Sequence, residues 1–146
     1  MKTKAFMIAA VAIATLFTAK ADNDKPITFD KLPANSQNFI RQYFNERDIS
    51  YAKVDNELFD RSYEVFFVNG SKVEFDKKGE WEVVDCLSER VPSGVVPDQL
   101  EAFVEKRHPG LAIVKIDKDK RDYEIELSNG LEIKFDLKFN LIGYDD

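Results

Sequence analysis

The sequence predicts an α+β protein in which a helix followed by a four-stranded antiparallel sheet occurs twice. The first observation is a repeat, because residues 62–85 and 122–145 align without a gap at a constant offset of 60. The second is the alternation of apolar and charged residues in both stretches, which is typical of strands with one buried face. The third is an apolar helical stripe that follows a proline, Pro33 or Pro97, ahead of each stretch. A repeated supersecondary unit therefore organises the predicted fold.

The first 21 residues have the pattern of a secretory signal peptide. Lys2 and Lys4 precede the apolar stretch Ala5–Thr18, and Ala19–Ala21 matches an A-x-A cleavage site, so the mature chain is expected to start at Asp22. An uncleaved N-terminal anchor is the alternative, although the apolar stretch is too short to span a membrane. The predicted organisation is a signal peptide (1–21), a first repeat (22–86), a linker (87–96) and a second repeat (97–146).

Each repeat is predicted to open with a helix whose first residue is proline. Proline suits that position because its missing N–H would be unpaired there, which places Pro33 and Pro97 at the two helix starts. The second helix is predicted to end at His108-Pro109-Gly110. The apolar stripes are Phe39, Ile40, Tyr43 and Phe44 in the first helix and Leu100, Phe103 and Val104 in the second. The first strands are then Ile49–Asp55 and Ala112–Asp117.

The register of the hairpin that follows can be predicted from its side chains. A three-residue loop, Ser128–Gly130, places Leu127 opposite Leu131 and keeps the apolar residues on one face, whereas a two-residue loop would mix the faces. The other expected pairs are Ile125–Ile133, Tyr123–Phe135 and Glu124–Lys134, with Val65–Val73 and Tyr63–Phe75 in the first repeat.

The next turn separates the third and fourth strands of each repeat. In the first repeat, a Lys77–Gly79 loop would place Phe75 opposite Trp81 and Val73 opposite Val83, with Gly79 in the left-handed region. The second repeat has Phe139 in the place of Gly79. Because a bulky aromatic residue resists a positive φ, we expect this second turn to be distorted.

One face of each sheet is expected to be covered by its helix, and the other is expected to face water. The charged residues with the parity of that open face are Glu64, Lys72, Glu74, Glu82, Glu124, Glu126, Glu132, Lys134 and Asp136. Val84 shares this parity. Apolar residues amid charges are typical of interface anchors, so the candidate protein-binding residues are Tyr51, Phe66, Ile113, Ile142 and Tyr144. Packing against the linker, the tail or a second copy is the alternative.

The charge of the chain limits its partners. The formal net charge is -6, and the predicted cleavage removes three lysines and no acids. Such a chain lacks the basic stripe that binding to nucleic acid requires. An anionic membrane surface is disfavoured for the same reason, and no membrane insertion is expected after cleavage. The acidic surface would suit a basic partner, with solubility as the alternative explanation of the charge, and the open face of the sheet makes a protein the expected partner.

Residues that could carry out chemistry are scarce. Cys86 is the single cysteine, and burial as a small hydrophobe is favoured over an intermolecular bridge. His108 is the single histidine and lies at a predicted helix end, so a dyad with Cys86 is only formally possible. One His and one Cys do not make a zinc site. The acidic loop 117–122 lacks the spacing of a calcium-binding EF-hand. We therefore expect no enzyme activity, no metal and no cofactor.

Taken together, these features resemble those of the PepSY-like family of exported proteins from Bacteroidetes-type bacteria. This family is grouped by fold with the β-lactamase inhibitor protein. The resemblance covers nearly all of the mature chain. It is carried by Leu32-Pro33, Tyr63–Val65, Asn69-Gly70, Val73–Asp76, Gly79 and Trp81, and in the second repeat by Val96-Pro97, Tyr123–Ile125, Asn129-Gly130 and Glu132–Asp136. The resemblance implies that the two sheets join into one curved eight-stranded sheet with both helices on one face.

The resemblance also implies a function, because in the inhibitor such a sheet surface grips an enzyme. The matching residues are turn and core positions, so no binding residue is carried over. We expect an exported, periplasmic or secreted, non-enzymatic binding protein that uses the open face, and an inhibitor of a protease or other hydrolase is the favoured form. The alternative is a periplasmic module that binds a small molecule or peptide in a cleft between the two sheets.

Overall fold

The computed structural model describes residues 24–145, so the predicted signal peptide lies outside the described residues. Two α-helices and nine strands follow along this part of the chain, with short 3-10 helices at Phe29–Lys31 and Glu46–Asp48. Their bounds are β1 Asp24–Ile27, α1 Ala34–Tyr43, β2 Ile49–Glu57, β3 Asp60–Phe67, β4 Lys72–Phe75, β5 Trp81–Asp85, α2 Asp98–Arg107, β6 Ile113–Lys118, β7 Asp122–Leu127, β8 Glu132–Asp136 and β9 Leu141–Asp145. Neither ten-residue helix has the length and apolarity that crossing a bilayer requires.

All nine strands form one antiparallel sheet in which spatial order equals chain order. The expected count of eight is wrong, because the polar segment Asp24–Ile27 pairs with β2 as an additional edge strand. This segment contains Pro26, and proline is tolerated in a sheet mainly at its edges. Its four residues therefore carried too weak a strand pattern to be predicted.

One row of buried residues crosses the sheet and shows that both helices cover the same face. Consecutive partners in this row are Ala52, Val65, Val73, Val84, Ile116, Ile125 and Ile133. Helix α1 packs on this face through Phe39, whose ring lies 5.7 Å from that of Phe75. Helix α2 packs through Phe103, 5.0 Å from Phe135. The opposite face of the sheet is left without a helix.

The predicted hairpin register is confirmed in both halves. Tyr123, Glu124 and Ile125 pair with Phe135, Lys134 and Ile133, and Tyr63 and Val65 pair with Phe75 and Val73. The asparagine of each loop fixes the turn, because Asn129 Oδ1 accepts a hydrogen bond from the Leu131 N–H at 3.1 Å. Gly130 adopts φ 90°, the left-handed conformation that the three-residue loop requires.

Both prolines lie one residue earlier than predicted. Helix α1 begins at Ala34 and α2 at Asp98, so each proline precedes the first helical residue. The Pro33 carbonyl still accepts the first helical hydrogen bond, from the Gln37 N–H at 3.1 Å. The predicted apolar stripes face the core, and α2 ends at Arg107, just before the predicted stop.

Four β-bulges change which side chains face the helices. Each inserts one unpaired residue, at Ser50, Glu82, Val114 and Ile142, and an inserted residue reverses the alternation beyond it. The expected pair of Val73 with Val83 is therefore wrong, because Val73 pairs with Val84 and Val84 is fully buried. Phe75 does pair with Trp81, as predicted.

The expected distortion of the turn at Phe139 is wrong. Phe139 adopts φ 67°, close to the φ 84° of Gly79. The Phe139 N–H donates to the Asp136 carbonyl at 3.0 Å, and the Gly79 N–H donates to the Asp76 carbonyl at 2.9 Å. The Phe139 ring packs 5.5 Å from that of Tyr123. This contact compensates for the unfavourable backbone conformation.

The segment between β5 and α2, predicted as a linker, contributes buried side chains to the hydrophobic core. Cys86 is buried, as predicted, and burial raises the pKa of its thiol. Val91, Val95 and Val96 from the predicted linker are buried in the same cluster. These contacts fix how α2 follows β5, while the boundaries of the repeats remain a prediction.

Candidate functional site

The open face of the sheet presents a row of mostly charged side chains across both halves. The consecutive partners in this row, which we call the central row, are Lys53, Glu64, Glu74, Val83, Asp117, Glu124 and Lys134. The pleat places them there because each is one residue away from the buried row. Four carboxylates thus lie between a lysine at either end.

The lysine at the β2 end is held by ion pairs. Lys53 Nζ lies 2.6 Å from a carboxylate oxygen of Asp24 and 3.0 Å from one of Glu64. Hydrogen bonds to Asp24 and Glu64 raise the pKa of Lys53. At the other end, Lys134 Nζ is 4.0 Å from Glu124, so this lysine is held less closely.

The carboxylates of the open face are partly buried among like charges. Burial is the main cause of the raised pKa of Glu74, and Glu64 raises it further while Lys72 opposes the shift. Burial likewise raises the pKa of Asp117 and of Glu124. Burial makes the ionised form of these carboxyl groups less favourable, and a nearby positive charge would stabilise that form.

Tyr51 and Phe66 form an aromatic pair on the same open face. They are cross-strand partners, and their rings stack with centroids 4.5 Å apart at an interplanar angle of 14°. Tyr51 is 50% exposed. Lys53 Nζ lies 5.8 Å from the centre of the Phe66 ring, which joins the pair to the central row. Two of the five predicted binding residues are thus brought together.

The other three predicted residues do not join this pair. The bulge at Val114 turns Ile113 toward the helices, where it pairs with Leu127 and is fully buried, so it is not a surface residue. The bulge at Ile142 likewise places Tyr144 opposite Ile133, on the helix-covered side.

The two candidates from β9 lie at the far edge of the sheet. Tyr144 Oη is 3.3 Å from His108 Nε2 at the end of α2. Ile142 lines an open hollow of ≈ 200 Å³ together with Glu124 and Lys134. The five residues therefore divide into a pair at β2–β3, a buried residue and a pair at β9.

A second concave feature, an open cleft of ≈ 950 Å³, lies where the two halves meet, the place named for the alternative ligand site, although its lining residues were not predicted. The cleft is formed by the β4–β5 turn, the β6–β7 turn and residues near them. Lys118 Nζ lies 4.3 Å from the centre of the Trp81 ring, a cation–π contact in the cleft wall. The basic residues Lys118, Lys120 and Arg121 were visible in the sequence, but the contact of Lys118 with Trp81 was not.

No cluster of three or more His, Cys, Asp or Glu side chains suited to a metal ion occurs within residues 24–145. His108 contacts Phe103 and Tyr144, while Cys86 is buried beside Ser71. Binding of a partner by the charges and rings of the open face stays a prediction. The absence of enzyme activity stays a prediction.

The chain is similar to a family and to solved structures. Residues 61–143 match the family model described as "Putative beta-lactamase-inhibitor-like, PepSY-like". A "putative periplasmic protein" of the DUF2874 family from Bacteroides vulgatus is 48% identical, with a TM-score of 0.82 over 86% of this chain and 99% of that chain. No protein with curated annotation matches this chain.

Two further crystal structures extend the comparison. A "putative calcium-regulated periplasmic protein" from Bacteroides thetaiotaomicron is 48% identical, with a TM-score of 0.83 over 86% of this chain and 99% of that chain. A periplasmic protein of unknown function, also from Bacteroides vulgatus, is 32% identical, with a TM-score of 0.79 over 84% of this chain and 99% of that chain. The chain therefore belongs to the PepSY-like, beta-lactamase-inhibitor-like family, and it is a periplasmic protein.

Proposed function

We propose that this protein is a non-enzymatic binding protein that captures a protein partner on its open sheet face and inhibits a periplasmic hydrolase. The stacked pair of Tyr51 and Phe66 is the observation that carries the proposal. Exposed aromatic residues contribute much of the binding energy in protein interfaces. Because stacking already restricts both rings, little conformational entropy is lost when a partner covers them.

The central row supports the same proposal through its charge. Glu74, Asp117 and Glu124 have raised pKa values, chiefly because they are partly buried. A lysine or arginine of the partner would reduce the repulsion among these carboxylates and would speed the encounter. The inhibitor-like description of the family favours a hydrolase as the partner.

The tandem duplication inferred from the sequence forms part of this proposal. A helix followed by four antiparallel strands occurs in residues 34–85 and again in residues 98–145. The matching bulges in β5 and β9, at Glu82 and Ile142, are 60 residues apart, which is the offset of the sequence repeat. Duplication of the unit doubles the width of the open sheet face, while each half keeps a core of the size that one helix and four strands form.

The test begins with capture of partners from periplasmic extract of the source bacterium on the immobilised exported protein. The captured hydrolase is then purified, and its affinity and inhibition are measured. We expect the Tyr51→Ser, Phe66→Ser double variant to lose about 2 kcal/mol of binding free energy or more, because both aromatic anchors are removed.

Leu137→Ser is the matched control, because Leu137 is 48% exposed and lies in the β8–β9 turn, away from the aromatic pair. The control should retain both affinity and inhibition. Equal binding by the double variant and the wild type, with both folded, would contradict the assignment of this face.

A second candidate function is the binding of a peptide or small molecule in the cleft between the halves. The cleft volume and the Trp81–Lys118 contact in its wall favour it. A ligand that binds the folded state raises the melting temperature, so a thermal-shift screen tests the idea. Calcium is included in the screen, because one solved relative is described as calcium-regulated. A shift that persists unchanged in Trp81→Ala would place the ligand elsewhere.

A further inference from the structure

The two edges of the sheet differ in how they are protected. Strand β1 is four residues long, contains Pro26, and is tied to β2 by the Lys53–Asp24 ion pair. Proline and charge are the usual means by which proteins prevent strand addition at an edge. Strand β9 has no proline, its charge is confined to Asp145 at its end, and Leu141, Ile142 and Tyr144 are all exposed. Within residues 24–145, no strand pairs with its outer side.

The molecule itself contains an equivalent edge that is covered. Strand β5 lies 60 residues before β9 and has the matching bulge, and its outer side pairs with β6. The pairs beyond the bulge are Val83–Asp117, Val84–Ile116 and Asp85–Lys115. Val84 is fully buried, whereas Tyr144 at the same position of β9 is 47% exposed. A strand with this bulge can therefore still pair with another strand along its outer edge, as β5 does with β6.

We propose that the outer edge of β9 binds an extended segment of a partner protein as a tenth antiparallel strand. The register would be that of β6 on β5, with the new strand opposite Gly143–Asp145. Addition of a strand to a sheet edge is a recurrent mode of peptide recognition, in which backbone hydrogen bonds give affinity and alternate side chains give specificity. This site is distinct from the Tyr51–Phe66 pair and does not depend on the proposed function.

The chemistry of the incoming segment follows from the internal comparison. Ile116 lies opposite Val84, so an apolar residue is expected opposite Tyr144, on the helix-covered side. Lys115 lies opposite Asp85, so a lysine or arginine is expected opposite Asp145.

The charges beside β9 strengthen this expectation of a basic segment. In the first half, the residue on the inner side of Asp85 is Lys72. In the second half, the residue on the inner side of Asp145 is Glu132, whose own partner is Glu126. This end of the sheet is therefore more acidic than its counterpart. A second copy of this chain, with its net charge of -6, matches that environment less well than a basic segment does.

The strand β6 supplies a probe of defined sequence. A labelled peptide with the sequence of residues 111–118, LAIVKIDK, is titrated against the exported protein and followed by fluorescence anisotropy. Backbone amide shifts in NMR spectra locate the bound peptide. The control peptide carries Lys115→Glu and Ile116→Asp, which reverse the charge and remove the apolar contact.

We expect the β6 peptide to bind with a dissociation constant below about 1 mM, and the control peptide to bind at least about tenfold more weakly. The amides of residues 143–145 should shift. Tyr144→Lys should weaken binding at least about tenfold, because a lysine at an edge position repels the basic segment and removes the apolar contact. Val68→Lys is the matched control, since Val68 is an exposed apolar residue in the β3–β4 turn and belongs to neither proposed site.

Three results would overturn the proposal. The first is no binding of the β6 peptide at about 1 mM. The second is binding that shifts amides of the central row instead of residues 143–145, or that Tyr144→Lys and Val68→Lys weaken equally. The third is a dimer in sedimentation experiments that Tyr144→Lys dissociates, which would make a second copy the occupant. Loss of partner capture by the Tyr51 and Phe66 variants alone would leave β9 binding intact, so the two proposals fail separately.

Discussion

The two halves of the sheet build the same turn beside a helix with different chemistry. In the first half, the Ser36 hydroxyl of α1 donates a hydrogen bond to the Gly79 carbonyl at 3.1 Å. A Cβ on Gly79 would lie 2.6 Å from Pro33 Cβ, so the helix sits directly on the turn. In the second half, Leu100 follows Pro97 by three residues, as Ser36 follows Pro33, and Phe139 replaces Gly79.

The comparison shows that each half keeps the contact between the helix and the turn, although the residues that make the contact differ. The first half combines a small polar residue with glycine at contact distance. The second half combines two large apolar residues, both of which belong to the hydrophobic core. Both solutions leave the turn with the same backbone hydrogen bonds.

A second difference lies on the open face. The sequences Lys53–Asp55 and Lys115–Asp117 are alike, but the strand pairing makes Asp117, rather than Lys115, the counterpart of Lys53. Lys53 pairs with Glu64, whereas Asp117 pairs with Glu124. The first half therefore places opposite charges together where the second half places two acids.

The largest effect is expected at the helix–turn contact of the first half. Gly79→Ala should lower the free energy of unfolding by about 3 kcal/mol, because the new Cβ overlaps Pro33 and also disfavours the left-handed backbone. Gly130→Ala is the control, since no atom lies within 4 Å of its Cβ position, and it should cost only about 1 kcal/mol. Urea denaturation measures both. Equal losses would show that α1 does not constrain the turn.

The next effect concerns the acid that replaces lysine on the open face. Asp117→Asn should raise the free energy of unfolding at pH 7, because it removes a carboxylate whose pKa is raised chiefly by burial, and solvent screening keeps the gain below about 1 kcal/mol. A raised pKa means that the folded state holds the proton more tightly. The penalty is therefore full above the raised pKa and absent below the ordinary value of 3.8. The advantage of Asp117→Asn should disappear as the pH falls through that window.

Asp119→Asn provides a control of opposite sign for this pH dependence. Asp119 Oδ1 accepts hydrogen bonds from the backbone N–H groups of Arg121 and Asp122, and these bonds lower the pKa of Asp119. Its stabilising contribution is present above the ordinary pKa and is lost as the pH falls through the lowered one. Asp119→Asn should therefore destabilise the protein at pH 7 and have less effect in acid. The same pH dependence in both variants would contradict the assigned causes.

The smallest effect is expected at Phe139. Phe139→Gly should change the free energy of unfolding by less than about 1 kcal/mol, because relief of the left-handed backbone offsets the loss of packing against Tyr123. Thermal denaturation across several urea concentrations would resolve the change. A loss above about 2 kcal/mol would show that ring packing outweighs backbone conformation at this turn.

The sequence was sufficient for features that depend on local chemistry. The pairing of Ile125 with Ile133 followed from the Asn-Gly loop and the alternation beside it, since a slip of one residue would expose the apolar side chains. The helix stripes were predictable for the same reason. The burial of Cys86 followed from the apolar strand that it ends.

The candidate site was predicted less well because bulges change the facing of side chains. An inserted residue at Val114 moved Ile113 into the core, and one at Ile142 moved Tyr144 to the helix-covered side. Bulges leave little trace in a pattern of apolar and charged residues. Tyr51 and Phe66 were predicted to lie on the open face, but not to stack on each other. Their pairing could not be predicted because β2 and β3 also pair through a bulge.

The order of the strands has a consequence for how the protein forms. Every strand pairs with its neighbour in the chain, so sheet assembly needs only short loops to close, apart from the two segments that carry α1 and α2. Low sequence separation between contacting residues speeds folding. A chain that crosses a membrane N-terminus first can therefore add its strands one at a time as they emerge. During that process β5 is briefly the growing end, and its pairing with β6 joins the early half to the late one.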